Sequence, residues 1–214
     1  MISGTTLLLF LGTTLALFLS PGPNMAFVLS HAAAMGPRGG LAVALGIGLA
    51  DVVLTVLTAT GVAGMAAAWP PSFDVLRLGG AAYLLWMAWN AWCHPGQLTV
   101  TRTGAQSLAT VFRRSAINSL LNPKALLFFL VFLPQFVEAS DTPVAMQLAL
   151  LGGVLTLASV VFHGGLGWVG GRLAQALSTR LADNPKLART QGRMLALVLA
   201  VLAVRLLFTP QPSI

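Results

Sequence analysis

The chain is expected to be an all-α integral membrane protein, with six transmembrane helices forming two inverted three-helix repeats and breaks in helices one and four. Three observations predict this. Hydrophobic residues make up 57% of the 214 and charged residues only 8%, against about 25% charged in soluble domains. The mean hydropathy is +0.85, so there are too few polar residues to clothe a soluble surface. The apolar residues fall into six stretches, judged against the roughly 20 residues that cross a bilayer core. Two of these stretches carry proline breaks, at Pro23 and Pro123, and matched interruptions in two halves are the pattern of transporters built from repeats.

Taken in order, the stretches are roughly 4–35, 39–68, 73–93, 113–137, 143–170 and 190–208. The first is too long for one straight crossing, which fits a break near residues 20–23. The last is short at its apolar core, Leu195 to Phe208. The longest polar connections run from His94 to Phe112 and from Gly171 to Gln191. The chain is thus expected to form a single transmembrane domain, 1–214, with a first repeat at 1–93, a connection at 94–112 and a second repeat at 113–214. An odd number of spans per half makes the repeats inverted in the membrane.

The basic residues mark orientation. Arg38, the group Arg102, Arg113 and Arg114, and the group Arg172, Arg180, Lys186, Arg189 and Arg193 lie in alternate connections, whereas the other side has only Arg77 and Arg205. The positive-inside rule places these three connections in the cytoplasm and both termini outside. The net charge of +7 therefore serves orientation and contact with membrane lipid, and nucleic-acid binding is set aside. The first residues carry no basic n-region, so no cleaved signal peptide is expected.

The breaks carry the chemistry. In Ser20-Pro21-Gly22-Pro23-Asn24 and in Asn122-Pro123-Lys124, proline removes a backbone donor and clashes with the preceding turn. The freed carbonyls need partners in protein or a watery cavity. Asn122 reads as an N-cap with Pro123 at the first helical position. Ser20 or Gly22 can cap the first restart, with Asn24 in its first turn. Each restart leaves a helix N-terminus deep in the membrane, where free N–H groups and the helix dipole attract an anion such as a carboxylate. For either break alone, a packing kink is the alternative. Two breaks, both flanked by asparagine, favour a binding site.

Asp51 lies roughly 17 Å along the second span, near mid-membrane, where a carboxylate costs at least about 2.5 kcal/mol and should face the interior. Ala44, Gly48, Thr55 and Thr58, at helical spacing from it, form a small and polar stripe. Asp51 is assigned to a substrate ammonium or a coupling proton, and Lys124 to a carboxylate. The alternative is a structural Asp51–Lys124 pair. Asn118 and Asn122, one turn apart, can both face the centre. A zwitterionic amino acid suits this set.

Other signals are weaker. His163 could relay protons, but with no second titratable group near it in sequence it reads as a packing or interfacial residue. Tyr83, Trp86, Trp89 and Trp92 form an interfacial aromatic stripe. Gly36/Gly40 and Gly167/Gly171 have the spacing of close helix contacts. The lone Cys93 excludes an intramolecular disulfide. No metal-ligand cluster, phosphate loop or nucleophile constellation is visible, so neither a cofactor nor an enzyme is expected.

Pro21-Gly22-Pro23-Asn24, the following Gly36, Gly39, Gly46, Gly48 and Asp51, then Asn118, Leu121-Asn122-Pro123-Lys124-Ala125 and Phe128-Phe129 through Leu133-Pro134-Gln135-Phe136 resemble the lysine-exporter (LysE) superfamily. The closer likeness is to its threonine/homoserine-exporter (RhtB-type) branch. The resemblance covers nearly the whole chain. It implies a bacterial inner-membrane exporter of amino acids or related small metabolites, driven by the proton-motive force and dimeric. The superfamily's thiol-electron carriers need paired membrane cysteines, and its metal transporters need clustered acids. This chain has neither. The expected function is export by alternating access around a midplane site. A non-transporting scaffold that recruits partners through its basic loops is the alternative.

Overall fold

The computed structural model describes residues 2–19, 22–68, 72–93 and 106–181, together with scattered helical positions between 190 and 207. Ser20, Pro21, most of the connection 94–112 and most of the sixth expected stretch lie outside the described residues. The described backbone is helical, without strands. Helices α1 (Gly4–Leu19) and α2 (Pro23–Met35) form the first broken pair, followed by α3 (Pro37–Ala68) and α4 (Ser72–Cys93). Then α5 (Leu108–Leu120) and α6 (Pro123–Leu127) form the second, α6 running into a π turn (Phe128–Phe132) and a 3-10 turn (Leu133–Phe136). Helix α7 (Val144–Leu181) follows.

Two described helical segments, Pro37–Gly61 and Val144–Gly170, are long and apolar enough to cross a membrane, and the count reaches four when each bent pair is one span. The first pair bends by 59° and the second by 56°. The third expected stretch is helical, as α4. Helix α7 runs on to Leu181, so the connection expected to begin at Gly171 starts as helix. Gly and Ala at 170–177 do not stop a helix that the preceding apolar turns have already nucleated.

The two bent pairs run in opposite directions. Ser3, at the start of α1, donates its N–H to Glu138 Oε2 at 2.8 Å and its hydroxyl to Oε1 at 2.6 Å. Thr6 donates to the same Oε1 at 2.5 Å. Glu138 directly follows the second bent pair, so one pair begins where the other ends. Ser3 Oγ also accepts from the Thr6 N–H, so Ser3 caps α1 while Glu138 supplies, from across the fold, the acid of a capping box. These donors, the Ser3 hydroxyl foremost, hold the Glu138 carboxyl below the usual glutamate range. Gln147 ties down the loop that follows through the Glu138 backbone, Ser140 and Thr142.

An aromatic ladder joins α1 to the second pair. Phe128, Phe132 and Phe136, four apart, meet tilted at 4.6 Å and edge-on at 4.9 Å between centroids, and Phe10 meets Phe136 edge-on at 5.1 Å. Helix α3 packs chiefly on α7 and α5. Glycine permits both contacts. A Cβ on Gly40 would sit 2.6 Å from the Gly167 Cα, and one on Gly46 would overlap the Ser115 side chain. Gly40 and Gly167 come from the two Gly-x-x-x-Gly spacings of the sequence, and they meet each other. Ser115 adds a hydrogen bond to the Val43 carbonyl at 3.0 Å. Trp86, Trp89 and Trp92 are exposed on α4, and the Arg193 guanidinium lies 5.3 Å above the Trp92 ring. The Tyr83 side chain lies outside the described residues.

Candidate functional site

The first break is capped by Gly22, whose extended backbone (φ −163°, ψ 178°) leads into Pro23 at the start of α2. Glycine offers no side-chain acceptor, so the first turn of α2 keeps the anion-attracting character of an uncapped N-terminus. On the other side of the break, a helical carbonyl at Leu17 would bond the N–H of residue 21, and a proline there has none. Lys124 fills the gap, donating from Nζ to the Leu17 carbonyl at 2.8 Å. A lysine of the second break thus replaces the donor missing from the first.

The second break solves the same problem locally. The Ser119 carbonyl, which Pro123 cannot serve, accepts from the Asn122 N–H at 3.1 Å. Asn122 Oδ1 caps the restart by accepting from the Lys124 N–H at 3.1 Å, as expected of an Asn-Pro pair. The two N-termini are therefore not equivalent. The Gly22 end lacks a side-chain cap, and the Asn122 end is partly satisfied by its own side chain.

A carboxamide clamp joins the breaks. Asn24 Nδ2 donates to Ser119 Oγ at 3.0 Å, and Asn118 Nδ2 donates to Asn24 Oδ1 at 3.3 Å. Asn118, expected with Asn122 to face the centre, bonds Asn24 and is not among the residues that border the cavity.

That cavity, about 60 Å³ in volume, lies between the breaks, with space for a few waters. Gly22, Asn24, Asp51, Asn122, Lys124, Ser159 and His163 supply its polar lining, and Phe18, Met25, Phe128, Phe129 and Leu155 much of its apolar wall. Asp51 is 3% exposed. Ser159 borders the cavity beside it, and Oδ2 is buried without a hydrogen-bond partner. On α7, His163 Nδ1 lies 2.9 Å from the Ser159 carbonyl and 3.3 Å from Ser159 Oγ, and Phe18 and Phe162 pack on the imidazole edge-on.

Of the residues singled out in sequence, Asp51, Asn24, Asn122, Lys124 and Gly22 border one cavity. Pro23 and Pro123 begin the restarted helices, and Pro21 lies outside the described residues. Ser159 is not among the residues singled out in sequence, and His163 stands there as a packing or interfacial residue with a proton relay as the alternative. Asp51 comes from α3 and Lys124 from α6, so folding supplies the titratable neighbours that the local sequence of His163 lacks. The available signal was their own spacing: two polar residues four apart on one face of an apolar span.

Two antiparallel broken helices around a small cavity, with a buried carboxylate and a lysine in its otherwise largely apolar wall, define a membrane translocator. The chain belongs to the LysE type translocator family, whose model matches residues 15–209. It is 33% identical over 192 residues, 88% of each chain, to a leucine efflux protein of Enterobacter sp. (strain 638). Over 194 residues, again 88% of each chain, it is 30% identical to the leucine efflux protein of Salmonella typhimurium. An uncharacterized membrane protein of Pseudomonas aeruginosa is 36% identical over 163 residues, 73% of this chain and 75% of that one. No solved structure matches the chain. The family is one of translocators and not of enzymes.

Proposed function

We propose that this protein exports amino acids, with an apolar one such as leucine as the leading substrate, across the bacterial inner membrane by proton-coupled alternating access. The observation that carries the proposal is the single cavity where both breaks, Asp51 and Lys124 converge. A zwitterion needs an anionic and a cationic partner, and the cavity has one of each. Asp51, with Oδ2 unpartnered, takes the ammonium. Lys124 and the uncapped N-terminus at Gly22 take the carboxylate. Phe18, Met25, Phe128, Phe129 and Leu155 suit an apolar side chain. The leucine efflux proteins among the relatives support that choice and the outward direction.

At about 60 Å³ the cavity is too small for a whole amino acid, so the helices around it must part to admit one. The opposed bends of 59° and 56° support inverted repeats, 1–93 and 113–214, that rock against each other. The carboxylate of an arriving substrate competes with the Leu17 carbonyl for Lys124, which loosens the first break as the site fills. The termini lie outside, the connection 94–112 is cytoplasmic, and a homodimer is adopted on the family likeness alone.

The test is uptake into inverted or reconstituted vesicles across a panel of amino acids, with and without a proton gradient. Gradient-dependent movement of leucine or a related apolar amino acid is expected. Movement of no amino acid under either condition overturns the proposal.

A further inference from the structure

Ser159 and His163 border the cavity but are not needed to hold either charge of a zwitterion. Both are buried, and they lie four residues apart on one face of α7. Their hydrogen bonds have a direction. The Ser159 carbonyl, 2.9 Å from His163 Nδ1, can only accept, so Nδ1 carries the proton of the neutral ring and Nε2 is its acceptor. Nδ1 is also 3.3 Å from Ser159 Oγ, and the Ser159 side chain and the Asp51 carboxylate border the same small cavity. The line therefore runs from Nε2 through Nδ1–H to the serine O–H, and the shared cavity joins it to Asp51. We infer that Ser159 and His163 are the path by which the coupling proton reaches and leaves Asp51.

The inference rests on the exporter proposal and extends it to residues outside the binding set. A buried carboxylate can be neutralised by a substrate ammonium or by a proton, and the two compete. That competition makes movement of one depend on exit of the other. Asp51 of α3 and Lys124 of α6 are the titratable groups that border the cavity with His163. Helices α1 and α2 and the π turn bring apolar side chains and Asn24, none of which titrates.

The transfer balances. A proton added at Nε2 makes an imidazolium. Its Nδ1 proton passes to Ser159 Oγ as the serine hydroxyl proton passes to Asp51. The ring is left neutral with its proton on Nε2, and Asp51 is neutral. An arriving ammonium that needs the Asp51 charge reverses each transfer and returns the proton through Nε2, which resets the line.

The test uses the full chain in proteoliposomes, comparing the parent with Ser159→Ala and His163→Gln. Two rates are measured: exchange of labelled leucine at equal pH on both sides, and leucine accumulation driven by a proton gradient, with proton movement followed by an internal pH dye. Both variants should still exchange leucine, which shows that they are folded, and the deciding quantity is gradient-driven accumulation relative to each variant's own exchange rate. Relative to exchange, gradient-driven accumulation and leucine-induced proton movement should fall about a hundredfold, the scale of losing a positioned proton-transfer group. Parent-level accumulation in both variants overturns the inference. So does equal loss of exchange and accumulation, which makes the two residues part of binding or packing. A parent that exchanges leucine but ignores the proton gradient overturns the path and spares the exporter. A parent that exchanges no amino acid overturns the exporter proposal, and the inference with it.

Discussion

Lys124→Met separates two tasks that the structure gives to one side chain. The ammonium donates to the Leu17 carbonyl at 2.8 Å, the carbonyl whose partner in an unbroken helix would be the N–H of residue 21, where the sequence has proline. A hydrogen bond to a charged group contributes about 1.5–3 kcal/mol, and an orphaned buried carbonyl costs about 1–3 kcal/mol. Methionine keeps the length of the side chain and removes the donor, so the variant should lose about 1–3 kcal/mol of stability. It should also lose leucine transport, because the cationic pole of the site is gone. A second substitution tells the tasks apart. Pro21→Ala in the Lys124→Met background restores a backbone N–H four residues after Leu17. The double variant should recover stability and remain inactive. The assays are thermal unfolding in detergent, followed by tryptophan fluorescence, and leucine flux normalised to inserted protein. Unchanged melting of Lys124→Met, or a double variant no more stable than the single one, refutes the donor-replacement argument. Full flux in Lys124→Met removes the lysine from the carboxylate site.

Three further outcomes are expected. Gly40→Ala puts a Cβ 2.6 Å from the Gly167 Cα, forces α3 and α7 apart, and should cost about 1–3 kcal/mol in thermal unfolding, with Gly40→Leu failing to fold. Glu138 has a folded-state pKa lowered by Ser3 and Thr6, so its stabilisation is full above the ordinary glutamate range and is lost as pH falls through the folded value. Unfolding of the parent and Glu138→Gln should therefore differ at neutral pH and converge in acid. Asn24→Ala and Asn118→Ala remove the same hydrogen bond, so a double-mutant cycle on unfolding free energy should be non-additive by about 0.5–1.5 kcal/mol. Strict additivity removes the clamp between the breaks.

Much of this architecture was legible in the chain because membrane burial leaves few ways to place a proline or a charge. Pro23, Pro123 and Asp51 have no cheap position in an apolar helix, so their chemistry announced a break and an interior site. Asn122 was legible for a local reason, since capping depends on neighbours two and three residues away. What stayed hidden depends on contacts between distant segments. Lys124 reaches Leu17 across more than one hundred positions. Gly40 and Gly167 each sat in a weak spacing whose meaning lies in the other. His163 read as isolated because Asp51 and Lys124 approach it only after α3, α6 and α7 pack. The π turn at 128–132 had no mark in a run of phenylalanine and leucine that suits any helix.

Asp51 is the residue on which the account turns, since it answers both to the substrate and to the proton. The most direct measurement is leucine flux by Asp51→Asn in proteoliposomes, alongside the parent at matched insertion and thermal stability. Asparagine keeps the shape, but it can neither balance an ammonium nor exchange a proton. The account predicts that the variant folds, inserts and moves no leucine, by exchange or under a gradient. Flux at the parent rate would contradict it and remove Asp51 from the mechanism.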